Sequence, residues 1–230
     1  MRSHSRLAER LPRSGIREGM ELASKLDGVI HLEVGEPSFR TPDHIIEAAL
    51  ADARDGFTRY TPNAGLPSLR ACVAEHYAAR WGRPVQPEQV LVGAGAVNAI
   101  MATLAAILDE GDEILIPDPG WPNYVSIVEL LRARPVPYPC RPERGYLPDP
   151  AEVAPLIGER TKVLVITNPS NPTGAVFPAE TVEAMVRLAA ERDIFLLADE
   201  VYEELVYEGE HVSAGRYDTD GRVIAVSGCS

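Results

Sequence analysis

The chain has 230 residues, of which 45% are hydrophobic and 24% are charged, and this ordinary globular composition excludes intrinsic disorder and collagen-like repeats. A formal net charge of −12 argues against sequence-independent binding of nucleic acid, which depends on neutralising phosphates. The three cysteines show no CxxC spacing, which favours reduced thiols in the cytoplasm over a disulfide framework or a metal site.

Helical and strand-like patterns alternate along the chain after residue 40. Periodic apolar positions predict helices at 41–55, 66–77, 95–108, 124–131 and 182–189, the first with Thr41 as a possible N-cap and Pro42 as its first helical residue. Short aliphatic runs predict strands at 89–92, 113–118, 162–167, 194–199 and 222–227. The proline-rich stretch 135–150 predicts an edge strand followed by a turn. This order indicates an α/β fold with a mainly parallel sheet.

One uncharged stretch, 90–108, is long enough to be considered as a membrane span. It contains two glycines and an asparagine, and acidic rather than basic residues flank it. A buried strand that runs into a buried helix explains the stretch better, so we expect no membrane association.

Polar and glycine-rich runs directly follow four of the predicted strands. Ligands in open α/β sheets bind at the carboxyl ends of the strands, so we expect a binding site at that edge. The runs are GAGAVN (93–98), DPGWPNY (118–124), NPSNPTG (168–174) and DEVYEE (199–204).

The first run, GAGAVN, is compatible with two kinds of anion site or with a plain tight turn. Its small residues let the N–H groups of Gly95, Ala96 and Val97 approach a phosphate at the start of a helix, whose dipole favours an anion. A dinucleotide site is the second interpretation, with Asp118 as the acid that binds ribose. Asn98 replaces the third glycine of that motif and argues against it.

Three further positions carry side chains suited to binding. Asn171 is followed by Pro172, which fixes the backbone and presents the amide rigidly, although a plain turn has the same composition. Asp199 follows four apolar residues, where a carboxylate is costly unless it is paired with a cation, coordinated or used as a cap. Trp121 is either a core anchor or a flat surface for stacking.

Together these motifs resemble the class I/II aminotransferases, the aspartate-aminotransferase-like branch of the pyridoxal-phosphate enzymes of fold type I. The resemblance covers the whole chain and rests on GEP (35–37), RYTPNAGLPSLR (59–70), GAGAVNA (93–99), PGWPNY (119–124), NPSNPTG (168–174) and ADEVY (198–202). It implies a three-layer α/β fold, a mainly parallel sheet with helices on both faces, plus part of a small domain. Residues 1–40 would form an N-terminal arm and part of the small domain, and 41–230 a large cofactor-binding domain that is incomplete at its C-terminus.

The resemblance also implies roles for the residues at the strand ends. Asp199 would pair with the protonated ring nitrogen of pyridoxal 5'-phosphate, Tyr202 and Asn171 would hydrogen-bond its phenolic oxygen, and Trp121 would stack on its ring. A carboxylate about 4 Å from that ring cation contributes about 4 kcal/mol at an effective dielectric constant of about 20. This is about three pKa units, enough to keep the ring nitrogen protonated.

Other positions take their roles from the resemblance alone. The N–H groups of Gly95, Ala96 and Val97 would hold the phosphate, and Ser230 would also contact the cofactor. Tyr60 would reach the phosphate of a neighbouring subunit, which implies a homodimer with shared active sites. The substrate would be bound by the backbone of Gly35 and by the side chains of Trp121 and Asn171.

The implied activity is transfer of an amino group between an L-amino acid and a 2-oxo acid. Another fold-type-I activity, such as a cysteine-conjugate β-lyase, shares nearly all of these motifs. A non-catalytic domain of the same fold, such as the effector half of a transcription regulator, is a further alternative. A dinucleotide-dependent oxidoreductase is disfavoured by Asn98 and by NPSNPTG.

The sequence departs from the family pattern at one position that matters for the chemistry. The family's Schiff-base lysine is expected immediately after Ser230, where the sequence ends, and the downstream arginine that binds the substrate carboxylate is absent with it. The two lysines of the chain, Lys25 and Lys162, lie outside the motifs. We therefore expect a chain truncated just before its catalytic lysine.

Overall fold

A computed structural model describes residues 4–11, 15–32, 35, 37 and 39–229. The chain divides into two compact units, residues 12–63 and residues 1–11 together with 64–230. The sheet and the strand ends lie in the larger unit. The boundary expected at residue 40 stays a prediction.

The α-helices of the described residues are α1 Arg6–Arg10, α2 Gly15–Ala23, α3 Asp43–Arg54, α4 Pro67–Trp81, α5 Ala96–Ile107, α6 Asn123–Leu130, α7 Pro150–Val153 and α8 Ala179–Glu191. Five of them, α3, α4, α5, α6 and α8, lie at the predicted positions, whereas α1, α2 and α7 were not predicted. The predicted start of α3 is wrong by one residue, because Pro42 still has extended backbone angles and Thr41 therefore lies too far back to cap the helix. Within the described ranges, no helix is both long and apolar enough to cross a bilayer.

The strands form one parallel sheet with the order β2-β1-β3-β4-β5. Their bounds are β1 Glu113–Asp118, β2 Arg134–Pro139, β3 Thr161–Thr167, β4 Phe195–Asp199 and β5 Val223–Val226. The chain reverses its direction across the sheet between β1 and β3, and such a reversal opens a crevice at the carboxyl ends of the two strands. The parallel α/β fold is confirmed.

The proline-rich strand β2 lies at the edge of the sheet, as predicted. Every second residue of β2 is a proline: Pro135, Pro137 and Pro139. The residues between them have their N–H groups on the side of β1, as shown by the hydrogen bonds from Arg134 N and Cys140 N to carbonyl oxygens of the β1 segment. Proline has no N–H to donate, so these positions suit the side of the strand that has no neighbour.

The strand predicted at 89–92 is wrong. Residues 87–89 form a 3-10 turn, and 90–92 are not part of a strand. Val92 N donates one hydrogen bond to Ala64 O, and the side chain of Leu91 is 66% exposed. An apolar run becomes a strand only where a neighbouring strand supplies ladder partners, and the described part of the chain supplies none here.

Alternate residues of the central strands face two separate cores, which makes the fold three-layered. In β3, Leu164 and Ile166 pack on the side of α8, whereas Val163 and Val165 pack on the side of α5 and α6. Strand β4 alternates in the same way, with Leu197 facing α5 and α6. Both faces of the sheet are therefore covered, which holds the strand ends in fixed positions.

Candidate functional site

A cavity of about 220 Å³ lies at the carboxyl edge of the sheet. Its lining residues come from the start of α5 and from the segments that end or follow β1, β3 and β4: Ala96, Val97, Ile100, Trp121, Thr167, Asn171, Asp199, Val201 and Tyr202. The structure thus brings together most of the site residues that the sequence predicts, at the point where the strand order reverses.

Asp199 is the last residue of β4, and only 5% of its surface is exposed. Its Oδ2 accepts a hydrogen bond of 2.6 Å from the Tyr124 hydroxyl, and its Oδ1 accepts one of 3.3 Å from Val201 N. Burial raises the pKa of the Asp199 carboxyl, and these two donors oppose that rise. None of the ion pairs among the described residues includes Asp199, so this carboxylate has neutral donors but no cation. An electrostatic partner with positive charge would stabilise its ionised form.

Two hydroxyl residues at this carboxylate were not predicted as site residues. Tyr124 is fully buried near the start of α6, and its hydroxyl also lies 3.0 Å from Thr167 Oγ1. Thr167 ends β3 and pairs in register with Asp199 on β4. The helical periodicity places Tyr124 on the apolar face of a helix. A buried tyrosine hydroxyl requires a polar partner, and that requirement is the sequence signal for its role at the site.

Trp121 fits both interpretations that its sequence context left open. The half-buried indole lines the cavity and also packs against the core formed by α5 and α6. Its ring meets that of Tyr124 edge to face, with 5.3 Å between centroids and an interplanar angle of 90°. The contact holds the indole at the cavity wall, where a planar ligand could stack on it.

Asn171 and Tyr202 place an amide and a phenol on the same side of the cavity. Asn171 Nδ2 lies 3.5 Å from the Tyr202 hydroxyl, at the limit of a hydrogen bond. The segment that carries Asn171 follows β3, and a backbone bond of 2.8 Å from Gly174 N to Ser170 O closes its turn. Both polar groups are free to bind a ligand oxygen in place of this weak mutual contact.

The glycine-rich turn before α5 delivers the start of that helix to the cavity. Gly95 has φ 85° and ψ 165°, a conformation that is essentially limited to glycine. The first hydrogen bond of the helix runs from Ala99 N to Gly95 O, so the N–H groups of Ala96 and Val97 have no acceptor within the helix. Asn98 Oδ1 accepts from Ala94 N at 3.0 Å, which explains an asparagine where a dinucleotide motif has glycine.

Four predicted site residues do not line this cavity. Gly95 directly precedes the residues of α5 that do line it. Gly35 and Tyr60 belong to the unit 12–63, where the Tyr60 side chain is fully exposed. Ser230 lies outside the described residues. Their expected roles stay predictions.

Comparison with known proteins identifies similar sequences and structures. The sequence model of the family described as "Aminotransferase class I and II" matches residues 27–230. The chain is 43% identical over 199 residues to an aspartate/prephenate aminotransferase of Thermus thermophilus. This alignment covers 86% of the chain and 52% of the relative. The chain is also 40% identical over 185 residues to an arginine–pyruvate transaminase of Pseudomonas aeruginosa. That alignment covers 80% of the chain and 47% of the relative.

Solved structures show the same similarity. An aspartate aminotransferase from Thermus thermophilus with maleate superposes with a TM-score of 0.94 at 40% identity, over 100% of this chain and 61% of that one. An alanine aminotransferase from Pyrococcus furiosus superposes with a TM-score of 0.92 at 34% identity, over 98% of this chain and 59% of that one. The chain spans about half the length of the curated relatives it matches.

Proposed function

Because this chain belongs to the class I and II aminotransferases, whose members use pyridoxal phosphate, we propose that it forms the cofactor-binding part of an enzyme that transfers an amino group between an L-amino acid and a 2-oxo acid. The observation that carries the proposal is the buried Asp199 carboxylate, which lines a cavity and has no cationic partner among the described residues. The relatives are named for different amino acids, so the proposal covers amino-group transfer without specifying the amino acid.

The residues of the cavity fit pyridoxal phosphate in three respects. The Asp199 carboxylate complements a protonated ring nitrogen, the Trp121 indole offers a flat apolar face, and the start of α5 offers N–H groups for a phosphate. When bound, this cofactor supplies an electron sink for the electron pair released as the substrate loses its α-proton.

Asp199 would hold the proton at the ring nitrogen. Burial raises the pKa of its carboxyl, and a cation beside it would lower that pKa and keep the group ionised. At a separation of about 4 Å and an effective dielectric constant of about 20, the pair gains about 4 kcal/mol. The hydroxyl of Tyr124 donates to the same carboxylate and orients it.

The remaining cavity residues would orient the cofactor and the substrate. Asn171 and Tyr202 would donate hydrogen bonds to the phenolic oxygen, and Trp121 and Asn171 would also contact the substrate. The N–H groups of Gly95, Ala96 and Val97 would bind the phosphate. We further propose that Ser230 contacts the cofactor, that the backbone of Gly35 contacts the substrate carboxylate, and that a lysine following Ser230 serves as the catalytic base.

We also propose that the enzyme is a cytoplasmic homodimer in which Tyr60 reaches the phosphate bound by the other subunit. The fully exposed Tyr60 side chain supports this arrangement, since an exposed aromatic ring is suited to contact another chain. Cys72, Cys140 and Cys229 are all free thiols, as expected in a reducing compartment.

The experiment compares the protein as its gene encodes it with its Asp199→Asn variant. Asparagine keeps the shape and can still accept from Tyr124, so the substitution removes the charge alone. Loss of about 4 kcal/mol corresponds to a decrease of about a thousandfold in the rate of keto-acid-dependent transamination. Binding of pyridoxal phosphate, followed by its visible absorption, should weaken as well.

The matched control is Asp118→Asn, the same substitution at the exposed end of β1, which is separated from β4 by β3. This variant should keep the wild-type rate, whereas a dinucleotide enzyme would need the Asp118 carboxylate. A wild-type protein that does not bind pyridoxal phosphate, or an Asp199→Asn variant as active as wild type, would contradict the proposal.

A further inference from the structure

The turn that carries Tyr202 is connected to two other parts of the fold by the side chain of its neighbour, Glu203. Only 8% of the Glu203 surface is exposed. Its Oε1 accepts a hydrogen bond of 2.5 Å from the Tyr77 hydroxyl on α4 and one of 2.7 Å from Ser227 Oγ, which directly follows β5. One carboxylate oxygen thus joins a helix, a turn and the end of a strand.

Arg80 supplies a positive charge beside Glu203. Arg80 of α4 places its Nε 3.5 Å from Glu203 Oε2 and its Nη1 2.5 Å from Glu204 Oε1. Burial, and then the hydrogen bond to Glu203, raise the pKa of the Tyr77 hydroxyl far above its ordinary value. Tyr77 therefore keeps its proton and always acts as the donor.

Tyr202 lies in the short segment 200–203, and hydrogen bonds also hold the end of this segment that begins at Glu200. Glu200 N donates to Val226 O at 2.7 Å, and the fully buried Glu200 carboxylate accepts from Ser213 Oγ at 2.6 Å and from Ala214 N at 2.8 Å. Burial raises the pKa of Glu200 to about 7. Residues 200–203 are thus fixed at both ends, and Tyr202 lies between the two fixed points.

The side chain of Tyr202 makes few contacts that would fix its position. Its exposed fraction is 36%, and its hydroxyl meets Asn171 at the limit of a hydrogen bond. The direction of the phenol therefore depends on the backbone of its turn.

We propose that Glu203 is a positioning residue for the cofactor site, which fixes the direction of Tyr202 by binding the hydroxyls of Tyr77 and Ser227. This inference rests on the proposed function, since it assigns Tyr202 to the cofactor. Glu203 lies outside the cavity lining and would act through the backbone that it shares with Tyr202.

The test measures the dissociation constant of pyridoxal phosphate by visible absorption, using the protein as its gene encodes it. Glu203→Ala leaves two half-buried hydroxyls without their acceptor and should weaken binding by about tenfold. Glu203→Gln retains a carbonyl oxygen for both hydroxyls and should restore most of the affinity. The matched control, Glu204→Ala, removes the neighbouring exposed carboxylate with the same Arg80 partner and should bind as wild type.

A double-mutant cycle separates positioning of Tyr202 from a general loss of structure. In a Tyr202→Phe background, Glu203→Ala should cost less than about twofold in affinity, because the hydroxyl that it orients is already absent. If circular dichroism shows that Glu203→Ala does not fold, two other variants take its place in the cycle. Tyr77→Phe and Ser227→Ala each remove one of the two donors to Glu203.

The outcomes distinguish the role of Glu203 from the proposed function. A Glu203→Ala variant with wild-type affinity, or a loss of affinity that is undiminished in the Tyr202→Phe background, overturns this inference alone. A wild-type protein that does not bind pyridoxal phosphate overturns the proposed function, and this inference with it.

Discussion

At the scale of single residues, Tyr124 determines the properties of the central carboxylate. Its hydroxyl is held between Thr167 Oγ1 and Asp199 Oδ2, in a fully buried position. Burial and the nearby Asp199 charge raise the pKa of Tyr124 well above its ordinary value, so the hydroxyl stays protonated. Asp199 thus has a permanent donor, which lowers its pKa against the effect of burial.

Replacing Tyr124 by phenylalanine should make transamination more dependent on pH. Without the donor, the pKa of Asp199 rises further, and a larger share of the carboxyl is protonated at neutral pH. Loss of one hydrogen bond to a charged group predicts a decrease of about tenfold in rate near neutrality. The decrease should become smaller as the pH is raised and the carboxyl ionises again, which a pH–rate profile would measure.

The control for this prediction is Tyr138→Phe. Tyr138 is as fully buried as Tyr124, but its hydroxyl donates to the backbone oxygen of Val165 at 2.7 Å. This variant should lose stability without a change in the pH–rate profile. Identical profiles for the two variants would show that the Tyr124 hydroxyl has a purely structural role.

These residues also show which parts of a site can be predicted from a sequence. Asp199, Asn171 and Trp121 were predicted because they directly follow apolar strands, and position alone places them at the binding edge. Tyr124 and Thr167 were not predicted because each satisfies a helix or strand pattern by itself. Their polar contacts join segments that are far apart in the sequence, and a local sequence pattern gives no information about such contacts.

At the scale of secondary-structure elements, the start of α5 depends on the backbone of Gly95. An alanine Cβ at this position would meet nothing within 4 Å, so Gly95→Ala tests backbone strain without a steric clash. Holding a non-glycine residue in this conformation costs about 1–3 kcal/mol. We expect the first turn of the helix to shift and the affinity for pyridoxal phosphate to fall by about tenfold.

Gly82 provides the matched control for this prediction. It ends α4 with φ 66° and ψ 24°, and an added Cβ would again meet nothing within 4 Å. Gly82→Ala should lower the midpoint of thermal unfolding but leave the dissociation constant of pyridoxal phosphate unchanged. Equal affinities for the two variants would exclude a specific role of the α5 start.

The positions of elements were predicted better than their partners. The aliphatic runs of β1, β3, β4 and β5 are strands because each has a neighbour within the described sheet. Residues 89–92 have a similar composition but form no strand, because no other described segment pairs with them. Composition therefore indicates where a strand is possible, whereas pairing over long distances determines whether it forms.

At the scale of the whole molecule, the proposed dimer can be tested by mixing two inactive variants. One chain carries Tyr60→Ala and the other Asp199→Asn. If Tyr60 serves the neighbouring subunit, an isolated heterodimer has one site with both residues intact and should regain about half of the wild-type activity. If Tyr60 serves its own subunit, each of the two sites carries one substitution and activity is not regained.

Activity of purified heterodimers, compared with that of the two parent homodimers, decides between these arrangements. Tyr207 supplies a control, because it is another fully exposed tyrosine and is not part of the cavity lining. The homodimer of Tyr207→Ala should be active by itself. Heterodimers without recovered activity would count against shared sites.

The prolines of β2 have a consequence for the behaviour of the protein in a crowded solution. The edge of a sheet normally exposes N–H donors on which a strand from another molecule can assemble, a common route to aggregation. In β2 the residues whose N–H groups would point outward are Pro135, Pro137 and Pro139, so that edge presents carbonyl oxygens without the matching donors. A foreign strand cannot complete a ladder there, and the edge is protected against self-association by its covalent chemistry.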